Sequence, residues 1–150
     1  DVAPIMGLGT HFGLILVYLG GSIGFNSWLI KGFMDTISPS LDEAAKVDGA
    51  TEYQIFSKII APLARPILVV IFVITFIGIY SDYILAAIFL KDKNLWTVAV
   101  GINTVFVDDF NADWGVIAAS SVIAATPIAA LFVFFQKQIT GGLTAGSVKG

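Results

Sequence analysis

The chain of 150 residues has the composition of a membrane protein, because 57% of its residues are hydrophobic and only 13% are charged, against about 25% charged residues in a soluble domain. It has no cysteine and one histidine, which excludes a disulfide framework, a thiolate metal site and a serine–histidine relay. A net charge of −3 without a lysine- and arginine-rich run excludes a nucleic-acid-binding surface. We predict an all-α membrane protein that binds no metal and is not an enzyme.

Apolar stretches at 12–30, 67–90 and 114–135 predict three transmembrane helices. Each is close to the ~20 residues that cross a hydrocarbon core of ~30 Å. Asp82 is the only charged residue in these stretches. The chain begins at Asp1, and no signal-peptide pattern precedes the first stretch, so we expect it to be the C-terminal part of a longer protein.

The positions of lysine and arginine predict the orientation in the membrane. Most of them occur in the segments 31–66 and 136–150, at Lys31, Lys46, Lys58, Arg65, Lys137 and Lys149. The segment 91–113 carries only Lys91 and Lys93. Because positive charge concentrates in cytoplasmic loops, we expect the N-terminal end outside, 31–66 inside, 91–113 outside and the tail at 136–150 inside.

The cytoplasmic segment 31–66 predicts two short helices joined at a glycine. Ser40 with Glu43, and Thr51 with Gln54, have the spacing of capping boxes, and Gly49 lies where a helix end favours the left-handed conformation. We therefore expect helices at 40–48 and 51–61, the second ended by Pro62. Helices this short are marginal in water, so they must pack on a partner or on the ends of the spans.

The same segment resembles the EAA loop of the membrane-spanning subunits of ATP-binding-cassette (ABC) importers. The matching residues are Glu43, Ala44, Ala45, Asp48, Gly49, Ala50, Phe56, Ile59, Pro62 and Pro66. The resemblance extends over the chain and is closest to the carbohydrate permeases of the maltose/trehalose type, the MalG-like branch. It implies a six-span type I importer fold, of which this chain covers the last three spans and the cytoplasmic coupling loop.

From this resemblance we expect a permease subunit of a prokaryotic cytoplasmic membrane that carries an oligosaccharide of the maltose/trehalose type. Its expected partners are the lipid bilayer, a homodimeric ATPase that binds ATP and magnesium, a second, MalF-like permease subunit and an extracytoplasmic sugar-binding protein. The EAA residues other than Pro66 would contact the ATPase, as would tail residues Gly141, Gly142 and Lys149. Asn103, Asp108, Asp109 and Asn111 in the outer loop would contact the binding protein.

Asp82 and the function of the whole chain leave alternatives open. With Tyr80 and Tyr83, Asp82 would line a substrate path in which a carboxylate binds sugar hydroxyls and a tyrosine ring stacks on a pyranose. Alternatively, it marks a break in the span or an outer-interface residue paired with a neighbour. The chain has no phosphate-binding P-loop pattern. The functional alternatives are an ion-coupled secondary carrier that uses Asp82, and a membrane scaffold without transport activity.

Overall fold

A computed structural model describes residues 7–107 and 114–145, and every regular element in these two ranges is helical. The elements are α1 (His11–Met34), α2 (Pro39–Val47), α3 (Glu52–Ile55), a π-helical turn (Phe56–Ile60), α4 (Ala61–Tyr80), α5 (Ile84–Phe89), a 3-10 turn (Lys93–Leu95), α6 (Val98–Val107) and α7 (Trp114–Ala145). The predicted all-α class is confirmed.

Three helical segments are long and apolar enough to cross a membrane: His11–Met34, Glu52–Tyr80 and Trp114–Gln138. Many of their large apolar side chains are exposed, such as Ile23 at 64% and Phe134 at 73%. Apolar surface on this scale suits lipid or neighbouring helices, and a helix satisfies its backbone polar groups internally, as a bilayer requires. The three predicted membrane helices are therefore present.

The second span begins earlier than predicted, because the helix does not end at Pro62. It runs without interruption from α3 through the π-helical turn into α4, which also accommodates Pro66. In the π-helical turn the Ala61 N–H bonds to the Phe56 carbonyl, five residues back. This wider turn lies immediately before Pro62, where the ring removes a donor and needs room, so the helix passes the proline.

The second span also ends earlier than predicted, at Tyr80 instead of Leu90. Asp82 lies in a break between α4 and α5, where its Oδ2 accepts the N–H groups of Leu85 (3.1 Å) and Ala86 (3.3 Å). The same oxygen accepts the Tyr18 hydroxyl at 2.7 Å. A carboxylate that satisfies the first donors of a helix stabilises a new helix start. This geometry corresponds to the alternative in which Asp82 marks a break and pairs with a neighbour.

The contacts divide the chain into two compact units. The first comprises Asp1–Ile23 and Ile74–Phe134. Its described core contains Leu14, Ala86, Leu90 and Val100, so α5 and the start of α6 pack on the first turns of α1. Two hydrogen bonds add to this packing: the Gly9 N–H donates to the Phe89 carbonyl (2.7 Å), and His11 Nε2 lies 2.9 Å from the Leu95 carbonyl.

The second unit comprises Gly24–Val73 and Phe135–Gly150. Ile55 is its most completely buried large side chain among the described residues, at 1% exposure. The rings of Phe72 and Phe135 meet edge to face, with centroids 5.8 Å apart. This unit contains α2, α3 and the π-helical turn, which are the elements predicted for the cytoplasmic segment.

Two predicted connecting segments contain helix. The outer loop predicted at 91–113 includes α6, because its apolar residues bury Val100 in the core, and Asn103 lies in this helix and not at a loop tip. The tail predicted from residue 136 continues α7 as far as Ala145, through Gly141 and Gly142, since extending an existing helix costs far less than starting one. Asp108, Asp109, Asn111 and Lys149 lie outside the described residues.

The hydrogen bonds of Asp82 predict that two substitutions lower the stability of the protein by different amounts. Tyr18→Phe removes one hydrogen bond and should destabilise the protein by about 1 kcal/mol. Asp82→Leu should destabilise it more, because it also leaves two donors of α5 without their acceptor. Thermal unfolding of the full-length protein in detergent measures both, with the exposed Tyr53→Phe as the control. Equal stability of Asp82→Leu and the unsubstituted protein would contradict the role of Asp82 in stabilising the start of α5.

Candidate functional site

The candidate site is the segment 38–56, which we call the coupling loop and which contains α2 and α3. Its first helix starts at Pro39, after the N-cap Ser38, whose hydroxyl accepts the Ser40 N–H at 3.4 Å. The predicted capping box of Ser40 and Glu43 is therefore wrong. Proline suits the first helical position because its φ is already helical and its missing N–H is not needed there, so the helix begins before Ser40 can cap it.

The corner between the two helices forms at Gly49, as predicted. Gly49 has φ of +80°, the left-handed conformation that glycine adopts at low steric cost. Its N–H donates to the Lys46 carbonyl and the Ala50 N–H donates to the Ala45 carbonyl, both at 3.0 Å. This pair of bonds is a Schellman motif, which satisfies carbonyls at the end of α2 and reverses the chain direction.

The second helix of the loop starts with the predicted capping box. The Thr51 hydroxyl accepts the Gln54 N–H at 3.3 Å, and the Gln54 side chain accepts the Thr51 N–H at 2.9 Å. One residue, Ala50, thus separates the left-handed glycine from the N-cap of α3. The Schellman motif and the capping box thus constrain the relative direction of α2 and α3 from both sides of the corner.

Lys46 connects the two helices across the corner, a feature that the sequence analysis missed. Its Nζ lies 2.9 Å from Asp42 Oδ2, one turn earlier in α2, and 3.1 Å from Glu52 Oε1 at the start of α3. The hydrogen bonds to Asp42 and Glu52 raise the pKa of Lys46. The spacing of Asp42 and Lys46 was readable as a helical pair, whereas contact with Glu52 depends on the turn at Gly49.

The coupling loop buries few of its side chains and exposes several apolar ones. Ala45 and Ile55, at 9% and 1% exposure, anchor it. Val47, Tyr53 and Phe56 are 87%, 78% and 59% exposed. Of the other predicted contact residues in the loop, Ala50 is half-buried, and Glu43, Ala44, Asp48 and Gly49 are exposed; beyond the loop, Ile59 is half-buried and Pro62 is exposed. Exposed apolar side chains beside charged ones are typical of a surface that binds another protein.

A cleft of about 500 Å³ lies in the second unit, between the end of α1, the start of α2, and α3 with the π-helical turn. Its lining includes Met34 at the end of α1, Leu41 in α2 and Phe56 in the π-helical turn. Ala45 and Ile55 are the buried side chains of the coupling loop, and the cleft leaves Leu41 and Phe56 accessible beside them.

Of the three predicted substrate-path residues, two line the same groove and the third does not. Tyr80 and Tyr83 line one groove, and Asn103, which was predicted to contact a binding protein, lines the same groove. Asp82 is absent from that lining. Within residues 7–107 and 114–145, no cluster of three or more histidine or acidic side chains is placed to hold a metal ion.

The left-handed corner predicts opposite effects of alanine at two glycines. A Cβ meets no atom within 4 Å at Gly49 or at Gly32 in α1, so neither site is crowded. Gly49→Ala should still destabilise the protein by about 1 kcal/mol, because alanine is strained at positive φ. Gly32→Ala should be neutral or stabilising by up to about 1 kcal/mol. The midpoints of thermal unfolding measure both effects, and equal shifts would argue against a left-handed conformation at Gly49.

The bridge formed by Lys46 predicts a pH-dependent corner. A raised pKa means that the bridge contributes below the usual lysine value of 10.5 and is lost as the pH rises through the raised value. With spin labels attached at Val47→Cys and Tyr53→Cys, the distribution of distances between the two labels should be narrow at neutral pH. It should broaden at a pH above the raised pKa of Lys46, where the bridge is lost. Lys46→Met should broaden it at neutral pH.

Lys31→Met is the matched control for that experiment, because Lys31, in the last turn of α1, pairs at 2.7 Å with Asp35, directly after that helix, and does not cross the corner. A distribution that is narrow in Lys46→Met at every pH would show that backbone bonds alone hold the corner.

Comparison with known protein families matches residues 3–143 to the binding-protein-dependent transport system inner membrane component. Among curated proteins, the chain is 46% identical over 147 residues to the maltose/maltodextrin transport system permease protein MalG of Vibrio vulnificus. It is 44% identical over 150 residues to the proteins of that name from Photorhabdus laumondii and Escherichia coli K12.

These alignments cover 98%, 100% and 100% of the chain and 49%, 50% and 50% of the respective relatives. The chain thus spans about half the length of the curated relatives it matches. A family match over 3–143, supported by relatives above 40% identity, establishes the family. The chain belongs to the binding-protein-dependent transport system inner membrane components, which are multi-pass proteins of the cytoplasmic membrane.

Proposed function

We propose that the chain is the C-terminal part of a permease subunit of an ABC importer that carries maltose or maltodextrins. The observation that carries this proposal is the 44–46% identity to maltose/maltodextrin permeases along the whole chain. The proposal includes a separate ATPase that binds ATP and magnesium, in keeping with a family of transport components.

The coupling loop is the proposed contact with the ATPase. It presents Val47, Tyr53 and Phe56 beside Glu43 and Asp48, a mixed apolar and acidic surface of the kind that another protein desolvates at an interface. Its shape is set before binding by the Schellman motif, the Thr51–Gln54 box and the Lys46 bridge. A preorganised surface loses little conformational entropy on docking, which suits a contact that must transmit force.

The continuity of α3 with α4 is the proposed route of that force. Tyr53 and Phe56 lie on the same uninterrupted helical segment as the span that ends at Tyr80. A displacement of the loop by the ATPase would therefore move this span directly, with no flexible linker between them. The π-helical turn lies at the junction and provides a place where the helix can bend.

The proposed orientation places the coupling loop and the end of α7 in the cytoplasm, because lysine and arginine concentrate in these segments. Gly141, Gly142 and Lys149 then face the ATPase side. The segment with Asp108, Asp109 and Asn111 faces outward, where an extracytoplasmic sugar-binding protein delivers substrate. A second permease subunit completes the pathway.

Two substitutions in the coupling loop, one that reverses a charge and one that removes an aromatic ring, test this proposal in the complete transporter. Glu43→Lys and Tyr53→Ala should each reduce co-purification of the ATPase by about tenfold, the size of a moderate interface hot spot. Asp35→Lys is the control, because Asp35 is an exposed acid directly after α1, outside the coupling loop.

Sugar-stimulated ATP hydrolysis and sugar uptake in proteoliposomes should fall in parallel with co-purification. Full co-purification and uptake in both variants would refute the contact. Uptake that survives without ATP and collapses with an ion gradient would favour the secondary carrier, and a complex without any sugar-stimulated ATP hydrolysis would favour the scaffold.

A further inference from the structure

The π-helical turn at Phe56–Ile60 contains one residue more than the α-helical turn that it replaces. The Ala61 N–H donates to the Phe56 carbonyl, five residues back, where an α-helix bonds four residues back. Before the turn the helix is regular, since the Ile55 N–H donates to the Thr51 carbonyl, four residues back, at 2.9 Å. The turn therefore absorbs one residue, and the two helices that it joins keep the relative orientation of an α-helix one residue shorter.

Burial on the two sides of the turn shows what the absorbed residue achieves. Ile55 in α3 is 1% exposed, and Ala64, nine positions later in α4, is 7% exposed. At about 100° per residue, a regular α-helix would place these side chains about 180° apart, on opposite faces. With one residue absorbed they are about 80° apart, so both face inward. Ile71, seven positions after Ala64 and 8% exposed, continues the same face.

The same alignment determines where the exposed side of the coupling loop points. Tyr53 is 78% exposed and lies on the same short helix as Ile55. Ile55 and Ala64 are buried by the chain itself, so their alignment does not depend on a partner subunit. Without the absorbed residue, the face that carries Tyr53 would be rotated by about 100° relative to α4.

Pro62 favours the π-helical turn over a regular one. With Ala61 bonded to Phe56, the Ser57 carbonyl has no donor from the helix. A regular turn would satisfy Ser57, but it would bring the proline ring against the Lys58 carbonyl and leave that carbonyl without a donor. The two turns thus form the same number of hydrogen bonds here, and the ring decides between them. With alanine at position 62, a regular turn would leave no carbonyl without a donor.

We propose that Pro62 is a positioning residue that acts through the π-helical turn and holds the coupling loop in rotational register with the span. The inference rests on the proposed function and deepens it, because the register determines which face of the loop meets the ATPase. Pro66 has no π-helical turn directly before it, so a proline alone does not produce one. At Pro62 the ring and the burial of Ile55 and Ala64 act together.

Three variants of the full-length permease separate register from side-chain chemistry. Pro62→Ala should allow a regular turn and rotate the loop. Deletion of Lys58 in the Pro62→Ala variant removes one residue from the turn, so a regular α-helix should then restore the original register. Lys58 suits this purpose because it is exposed and lies within the turn. Pro62→Ala with Lys58→Ala is the matched control, since it loses the same side chains and keeps the number of residues.

The distance between two spin labels measures the register without any need for transport. Trp28→Cys in α1 and Tyr53→Cys are suitable positions, because both side chains are exposed and belong to the second unit. A rotation of about 100° moves a side chain that lies about 5 Å from the helix axis by up to about 8 Å. The distance should shift by several Å in Pro62→Ala and in the matched control, and it should return to its original value when Lys58 is deleted.

ATPase co-purification and maltose uptake by the complete transporter give the functional readout. Both should fall about tenfold in Pro62→Ala and in the matched control, the size of a moderate interface hot spot. Deletion of Lys58 in the Pro62→Ala variant should recover most of this loss although the proline is still absent. Recovery on deletion would not occur if Pro62 contributed only its own contact or general stability.

An unchanged label distance in Pro62→Ala, or a distance that deletion of Lys58 does not restore, would overturn the positioning role. Restored distance without restored uptake would overturn it as well, since the proline itself would then be the contact. If the unsubstituted transporter takes up no sugar and retains no ATPase, the proposed function is refuted, whereas the label distances still decide whether Pro62 sets the register.

Discussion

The left-handed conformation of Gly49 is the constraint on which the geometry of the coupling loop depends. It allows the Ala50 N–H to reach the Ala45 carbonyl, which ends α2 and turns the chain. The turn brings Thr51 into position to cap α3 and brings Glu52 within 3.1 Å of Lys46. A residue with a Cβ would meet no neighbour there, so glycine is required for its backbone conformation and not for space.

A second constraint is that backbone groups in a membrane protein must be satisfied close to where they occur. The break after Tyr80 frees the first N–H groups of α5, and Asp82 accepts two of them. The same carboxylate binds Tyr18 of α1, so one side chain both permits the break and ties it to another helix. The cost of a carboxylate in an apolar span is offset by three hydrogen bonds to one oxygen.

The two constraints act in different units of the chain. The coupling loop is stiffened by local bonds, exposes apolar side chains and leads into α4 without a linker. The first unit has a packed core of Leu14, Ala86, Leu90 and Val100 beside the groove lined by Tyr80, Tyr83 and Asn103.

Local chemistry accounts for the predictions that were confirmed. Apolar length predicted three membrane helices, and the Thr51–Gln54 box and the Gly49 corner were readable because capping and left-handed glycine act within a few residues. The matching residues of the coupling loop also indicated the family. The predicted capping box at Ser40 and Glu43 was wrong for an equally local reason. Pro39 is the first residue of the helix, so Ser38 and not Ser40 is its N-cap.

Tertiary structure decided what depends on residues distant in sequence. Tyr18 and Asp82 are separated by 64 positions, so the partner of the carboxylate, and with it the end of the second span at Tyr80, was not readable from either residue. Asn103 was assigned to an outer loop because its apolar neighbours were not known to pack against α1 and α5. The sequence by itself determined the class, the spans and the corner, because these follow from hydrophobicity and nearest-neighbour hydrogen bonding. The groove arose only when three helices met.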